Sequence, residues 1–148
     1  MSETATYSVP GDRMYDGAQH LWVRYDPATR LAVVGLDALG LASIGDLAYV
    51  TLRPTSTAVR RGEPIGSLEA AKMTGDIIAP LSGVLVSANP AVLRDPTLIN
   101  RDPYGDGWLV TIAPSDWAGE SAALIAGAAL PAWVAAETER YRTQGWIV

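Results

Sequence analysis

Short apolar stretches, broken every few residues by Gly, Pro, Asp or Asn, run through the first three quarters of the chain. Residues 20–25 and 31–35 read as two strands around the turn Asp26-Pro27-Ala28-Thr29. Asp37 is placed to cap a short helix through about Ser43, and Gly45 to end it. Residues 47–52 are apolar and β-rich, and Val59, Ile65 and Leu68 are spread around Gly62 and Gly66. Ile77-Ile78, residues 83–88 and residues 108–112 complete the strand-like stretches. Many short strands between Gly and Pro turns favour a small barrel or sandwich over βαβ units, which need long amphipathic helices between strands.

From about Ser115 the chain turns Ala-rich and helical. Pro131 suits the first turn of a last helix, Glu137 pairs with Arg140 and Glu139 with Arg142 at i, i+3 spacing, and Gly145 stops it. The first dozen residues are polar and carry the turn signal Pro10-Gly11-Asp12. The expected organisation is a flexible arm over 1–14, one β domain over 15–114, and a helical tail over 115–148 packed on it. The two β-rich halves are too dissimilar to read as a repeat.

Composition then removes whole classes of function. The 148-residue chain has no Cys, no Phe and a single His, His20. This leaves no disulfide framework, no cysteine nucleophile and no multi-His metal site. A net charge of −5 argues against phosphate-rich partners, for which only Arg60-Arg61 resembles a basic cluster. The longest apolar run, 122–130, is nine residues, far short of the roughly 20 that a membrane span needs. The start, Met1-Ser2-Glu3-Thr4, lacks the basic and apolar regions of a signal peptide, so a cytoplasmic protein is expected.

The basic residues hold the most telling feature. Of 11, ten are Arg and one is Lys, Lys72. Compositional bias explains the arginines but not the surviving lysine. Guanidinium stays protonated, whereas an ammonium with pKa near 10.4 can lose its proton and be acylated. Lys72 lies in Ala70-Ala71-Lys72-Met73-Thr74-Gly75, between two extended stretches, so it belongs at or near an exposed hairpin tip with small neighbours.

These residues resemble the lipoyl-attachment hairpin of the glycine cleavage system H protein family. Gly66, Glu69, Lys72, Asp76, Ala79 and Pro80 stand where that family has its Gly, Glu, lysine, Asp and Ala-Pro. His20, Trp22 and Val23 resemble its His-Glu-Trp-Val start, and Gly45-Asp46 with Leu52 its Gly-Asp strand. Asn89, Pro96, Leu98, Asn100, Asp102-Pro103-Tyr104-Gly105 and Gly107-Trp108-Leu109 match a long family signature. The resemblance runs from about His20 to Ile112.

It implies a mainly β lipoyl/biotinyl-type fold, a flattened β-barrel (barrel-sandwich hybrid) with a short helix near 37–43 and C-terminal helices. It further implies that Lys72 carries lipoate in amide linkage, within a hairpin context of Glu69, Met73, Gly75 and Asp76. In the family, glycine is decarboxylated on a pyridoxal-phosphate enzyme, glycine decarboxylase, and its aminomethyl group passes to a lipoyl sulfur. An aminomethyltransferase moves the carbon to tetrahydrofolate, and dihydrolipoyl dehydrogenase reoxidises the dithiol. The chain would be a carrier without catalytic residues or a metal. Its partners would be these three enzymes and a lipoate-attaching enzyme, with no nucleic acid and no membrane. Glu69 and Asp76 are either read by that attaching enzyme or are solvated charges. His20 is expected to be structural, Asp102 and Tyr104 to shape a turn, and Trp22 and Trp108 to pack.

Four stretches depart from the family pattern: residues 35–41, Met73 after the lysine, Gly75 three places after it, and the tail ending Trp146-Ile147-Val148. Met73, Gly75 and the segments Pro114-Ser115-Asp116-Trp117 and Glu120-Ser121-Ala122-Ala123-Leu124 also resemble H-like lipoate-binding proteins of bacterial sulfur oxidation. In those proteins the arm carries sulfur intermediates to a heterodisulfide-reductase-like complex. Glu69-Ala70-Ala71-Lys72-Met73 is similar to the biotin carrier motif, and an unmodified scaffold is a fourth reading.

Overall fold

The computed structural model describes residue 7 and residues 9–147. Among the described residues nine strands are seen: β1 (Met14–Asp16), β2 (Leu21–Asp26), β3 (Leu31–Leu36), β4 (Leu47–Leu52), β5 (Ala58–Val59), β6 (Pro64–Ala70), β7 (Thr74–Ile78), β8 (Gly83–Ala88) and β9 (Val110–Pro114). The α-helices are α1 (Ala38–Ile44), α2 (Pro90–Arg94), α3 (Thr97–Arg101), α4 (Trp117–Glu120) and α5 (Leu130–Thr143). A six-stranded antiparallel sheet runs β1-β2-β3-β9-β8-β5, and a three-stranded one runs β4-β6-β7. Val23, Val34, Leu85 and Ile112 of the first meet Leu47, Val50, Ile65, Leu68 and Ile77 of the second in one buried cluster. This is the flattened two-sheet barrel that the resemblance implied.

Why β2 does not alternate is instructive. Leu21, Trp22 and Val23 are all buried. Leu21 and Val23 face the inter-sheet core, while Trp22 points to the other face, under Leu130, Trp133 and Tyr104. A strand covered on both faces loses the half-buried pattern of period two. Trp22 donates through its indole nitrogen to the carbonyl of Pro103 at 2.9 Å. Opposite it stands Gly35, where a Cβ would come within 2.5 Å of the indole.

The expected short helix is α1. Asp37 accepts from the Gly40 N–H at 2.8 Å as its N-cap, and Gly45, at φ +82°, ends it by donating to Leu41. β2 and β9 start one and two residues later than the sequence pattern placed them. Four elements escaped that pattern: β1, β5, α2 and α3. β1 and β5 are three and two residues long and α2 and α3 five each, too short to show a period. α2 still left a cue, because Asn89 caps it and Pro90 opens it.

At the ends of the chain, residues 1–6, 8 and 148 lie outside the described residues, and with them half of the arm expected over 1–14 and the last residue of the tail. The described end of that segment is tied down. The Tyr15 hydroxyl donates to the Pro10 carbonyl at 2.6 Å, and the buried Arg13 guanidinium lies 4.7 Å from the Trp22 ring centroid. The tail is helical but interrupted. Two short 3-10 turns flank Ile125, which exchanges two backbone hydrogen bonds of 2.8 Å with Tyr15. α5 begins with Pro131 in its first turn and carries both expected ion pairs, Glu137–Arg140 at 2.7 Å and Glu139–Arg142 at 3.1 Å. Among the described residues no helix is long and apolar enough to cross a membrane.

Candidate functional site

The hairpin β6–β7 carries Lys72 at its turn. Ser67 pairs with Asp76, Leu68 with Gly75 and Glu69 with Thr74. The turn closes with the Ala70 N–H donating to the Met73 carbonyl at 2.8 Å. Lys72 is exposed, and its ammonium makes no hydrogen bond or ion pair among the described residues. Its backbone is held firmly all the same. The Lys72 N–H donates to the Ile44 carbonyl at 2.9 Å, and the Ala71 N–H to the Asp46 carbonyl at 3.0 Å. The bend between α1 and β4 is therefore the floor of the turn. Gly45 is needed there twice over: its φ is positive, and a Cβ would meet that of Ala71 at 3.1 Å.

Alternation along the hairpin puts Glu69 and Asp76 on one face, diagonal to each other. Both are exposed, and neither forms an ion pair among the described residues. Gly75 packs only against the end of the Met73 side chain, a loose neighbour. Met73 is 40% exposed and divides two cavities. One, about 510 Å³, is lined by Lys72 and Met73 with Ile44, Tyr141 and Trp146. The other, about 230 Å³, lies beneath β7 between Leu21, Leu36, Ile44, Leu68 and Ile77, with Asp76 among its lining residues. α5 and the residues after it supply Tyr141 and Trp146, so the tail helps to wall the site.

His20 lies under this wall. Its Nδ1 is 2.9 Å from Asp37 Oδ2 and its Nε2 is 3.1 Å from Glu137 Oε2. The ring stacks on Trp133 at 5.3 Å. Burial works against its charge, but the hydrogen bonds and charges of Asp37 and Glu137 outweigh burial and hold its pKa above the usual histidine value. Burial likewise opposes the Glu137 carboxylate, and hydrogen bonds from Arg140 and His20 prevail to hold its pKa below the usual range. With both ring nitrogens occupied and the ring buried, His20 is a fastener of α5. Asp102 accepts the Asp106 N–H at 2.8 Å, as a turn-shaping carboxylate should. Tyr104 reaches further than its turn, accepting the Ala38 N–H at 2.9 Å. Trp108 packs around Trp22 and Tyr15, in the cluster on the outer face of β2.

The family model described as the glycine cleavage H-protein matches residues 13–136. The chain belongs to that family. Among its relatives, glycine cleavage system H protein 3 of Aquifex aeolicus is 37% identical over 107 residues, covering 72% of this chain and 66% of that one. The H protein of Herpetosiphon aurantiacus is 39% identical over 112 residues, covering 73% of this chain and 84% of that one. The crystal structure of the glycine cleavage system H protein from Mycobacterium marinum superposes with a TM-score of 0.71 at 32% identity. That match covers 86% of this chain and 98% of that one. The family match extends through the first half of α5, well past the region that the sequence motifs alone supported.

Sequence reasoning missed the floor of the site. Ile44 and Asp46 act through backbone carbonyls, which leave no mark on residue type. Gly45 between them was the one visible sign. Tyr141 and Trp146 were missed as walls of the site because nothing local places α5 beside the hairpin.

Proposed function

We propose that Lys72 bears a lipoyl group in amide linkage and that the chain works as the carrier component in glycine decarboxylation. The observation that carries this is the sole lysine of the chain, set on a backbone-anchored turn with its amine exposed and without a partner among the described residues. The site fits the group. The amine is open, Ala71 beside it is small, and the cavities next to it offer apolar surface to an aliphatic arm. The arm would supply a sulfur able to accept and release a one-carbon amine, which a chain without Cys cannot offer.

The roles of the chain's own residues follow. Deprotonated Lys72 Nζ attacks the carboxyl carbon of an acyl-adenylate donor. The amide C–N bond forms, the C–O bond to AMP breaks, and one of the amine's two protons passes to solvent while the other stays on the amide nitrogen. Glu69 and Asp76, on one exposed hairpin face, are the features that the attaching enzyme reads. The β unit over 15–114 presents the lysine, and the segment 115–148 walls its cavities. No residue of the chain acts as a catalyst. Glycine decarboxylase, aminomethyltransferase and dihydrolipoyl dehydrogenase, in the cytoplasm, meet the arm in turn. Tethering holds it at an effective concentration of order millimolar, depending on reach.

The test is intact mass after coexpression with a lipoate ligase. Wild type gains one lipoyl group, and Lys72→Arg gains none. An unmodified wild type, or a modified arginine variant, defeats the assignment, and a biotin increment replaces it. The modified protein should support glycine–bicarbonate exchange with a glycine decarboxylase from the same cell. Failure there, with binding to a heterodisulfide-reductase-like complex, would transfer the cargo from a one-carbon amine to sulfur.

A further inference from the structure

Asn100 lies on α3, remote from the hairpin in sequence, yet its side chain grips the floor of the attachment turn. Its Nδ2 donates to the Gly45 carbonyl at 3.1 Å, and its Oδ1 accepts the Leu47 N–H at 2.9 Å. A neighbouring strand would make the same two bonds to alternate residues of an extended segment, and here one side-chain amide makes both. The backbone of residues 44–47 is thus bonded on both sides. The carbonyls of Ile44 and Asp46 turn outward to Lys72 and Ala71, and the Gly45 carbonyl and Leu47 N–H turn inward to Asn100. α3 is itself fixed, because Ile99 is fully buried and the Asp102 N–H donates to Leu98.

Gly45 explains why such a grip is needed. A glycine at φ +82° has no side chain to pack and the widest conformational freedom of any residue. The Gly45 carbonyl and Leu47 N–H face away from the hairpin, so without Asn100 they have no partner in the bonds just described. The bend would then sample other conformations and carry the Ile44 and Asp46 carbonyls with it.

We propose that Asn100 is a positioning residue for the modification of Lys72, acting through the Gly45–Leu47 bend to fix the turn that presents the amine. This rests on Lys72 being the acylated residue. The hairpin face bearing Glu69 and Asp76 is untouched by Asn100, so recognition by the ligase should survive its loss while delivery of the amine should not. Loss of alignment in a bimolecular transfer lowers the rate of the chemical step, by up to 100-fold for misplacements of an ångström.

The experiment compares wild type with Asn100→Ala and Asn100→Asp in two readouts. Asn100→Asp keeps the acceptor for Leu47 but puts a carboxylate oxygen against the Gly45 carbonyl, so it tests the grip even where the alanine variant folds poorly. First, amide hydrogen exchange is measured on the unmodified protein. The Ala71 and Lys72 amides should exchange about 10-fold faster than in wild type, while Val34 and Ile112 in the core keep their rates. Second, acylation of Lys72 by a lipoate ligase should lose about 10-fold in kcat with KM within a factor of two. Unchanged exchange at Ala71 and Lys72, a uniform rise that includes the core amides, or a wild-type kcat in the folded variant would each overturn the proposal. A wild type that the ligase leaves unmodified defeats the lipoyl assignment itself, and the exchange measurement then still decides whether Asn100 holds the turn.

Discussion

Replacing His20 with Asn tests whether a charged histidine fastens α5 to the β domain. Asn tolerates the φ of +55° that His20 adopts, so the backbone should not confound the result. The variant removes two contacts, to Asp37 at 2.9 Å and to Glu137 at 3.1 Å. Stripping one partner from a buried pair costs about 3–5 kcal/mol. Asp37 is fully buried but keeps the Gly40 N–H, and Glu137 keeps Arg140 and some exposure to water. The loss therefore belongs at the lower end, about 3 kcal/mol, or a fall of about 6–12 °C in Tm for a domain of this size.

The dependence on pH is the sharper part of the test. A folded-state pKa above the unfolded value of about 6.5 means that the folded protein holds the His20 proton more tightly. The stabilisation is complete below that value and is lost as pH rises through the folded pKa, by at most about 1.4 kcal/mol per pH unit. Urea denaturation followed by circular dichroism, at intervals from about pH 6 to 9.5, should show wild type losing stability with rising pH. The gap between wild type and His20→Asn should narrow accordingly. A gap under about 1 kcal/mol at pH 6, or one that stays flat or widens with pH, would refute a charged fastener.

Three further outcomes are expected. Lys72→Arg abolishes modification but leaves urea stability within about 0.5 kcal/mol, because the side chain is exposed and has no partner among the described residues. Gly45→Ala forces a Cβ into a positive-φ, extended conformation that is essentially restricted to glycine, and against Ala71, so chemical denaturation should show a loss of about 1–3 kcal/mol, with slower acylation of Lys72. Glu137→Gln changes the acid limb of the stability curve. The Glu137 carboxylate, held below its usual pKa of about 4.5, stabilises the fold above that value and ceases to as pH falls through its folded pKa. The variant should accordingly show less acid-dependent loss than wild type in thermal melts.

Much of the site was legible because it is local. Small residues around Lys72 and extended stretches on either side define a hairpin turn wherever they are placed. Asp37 and Gly45 mark the two ends of α1 by cap chemistry that acts within four residues. The Asp102 turn is equally local. Lost to inspection were the short elements β1, β5, α2 and α3 and the side chains whose partners are far along the chain. Trp22 was recognisable as a packing residue, but the cover that buries it, Leu130 and Trp133 of α5, was not.

By itself, then, the sequence determined where the longer strands and their turns fall, that one side-chain amine is available, and that any redox sulfur must come from outside the chain. Short-range sterics, capping and residue chemistry suffice for each of these. Only the tertiary structure decided what holds that amine in place. Asn100 lies 53 residues from Leu47, and Glu137 lies 117 from His20, in the bonds that fix the floor and the wall of the site. Such bonds depend on how the two sheets, α3 and α5 pack together. Packing brings together residues whose types carry no record of each other.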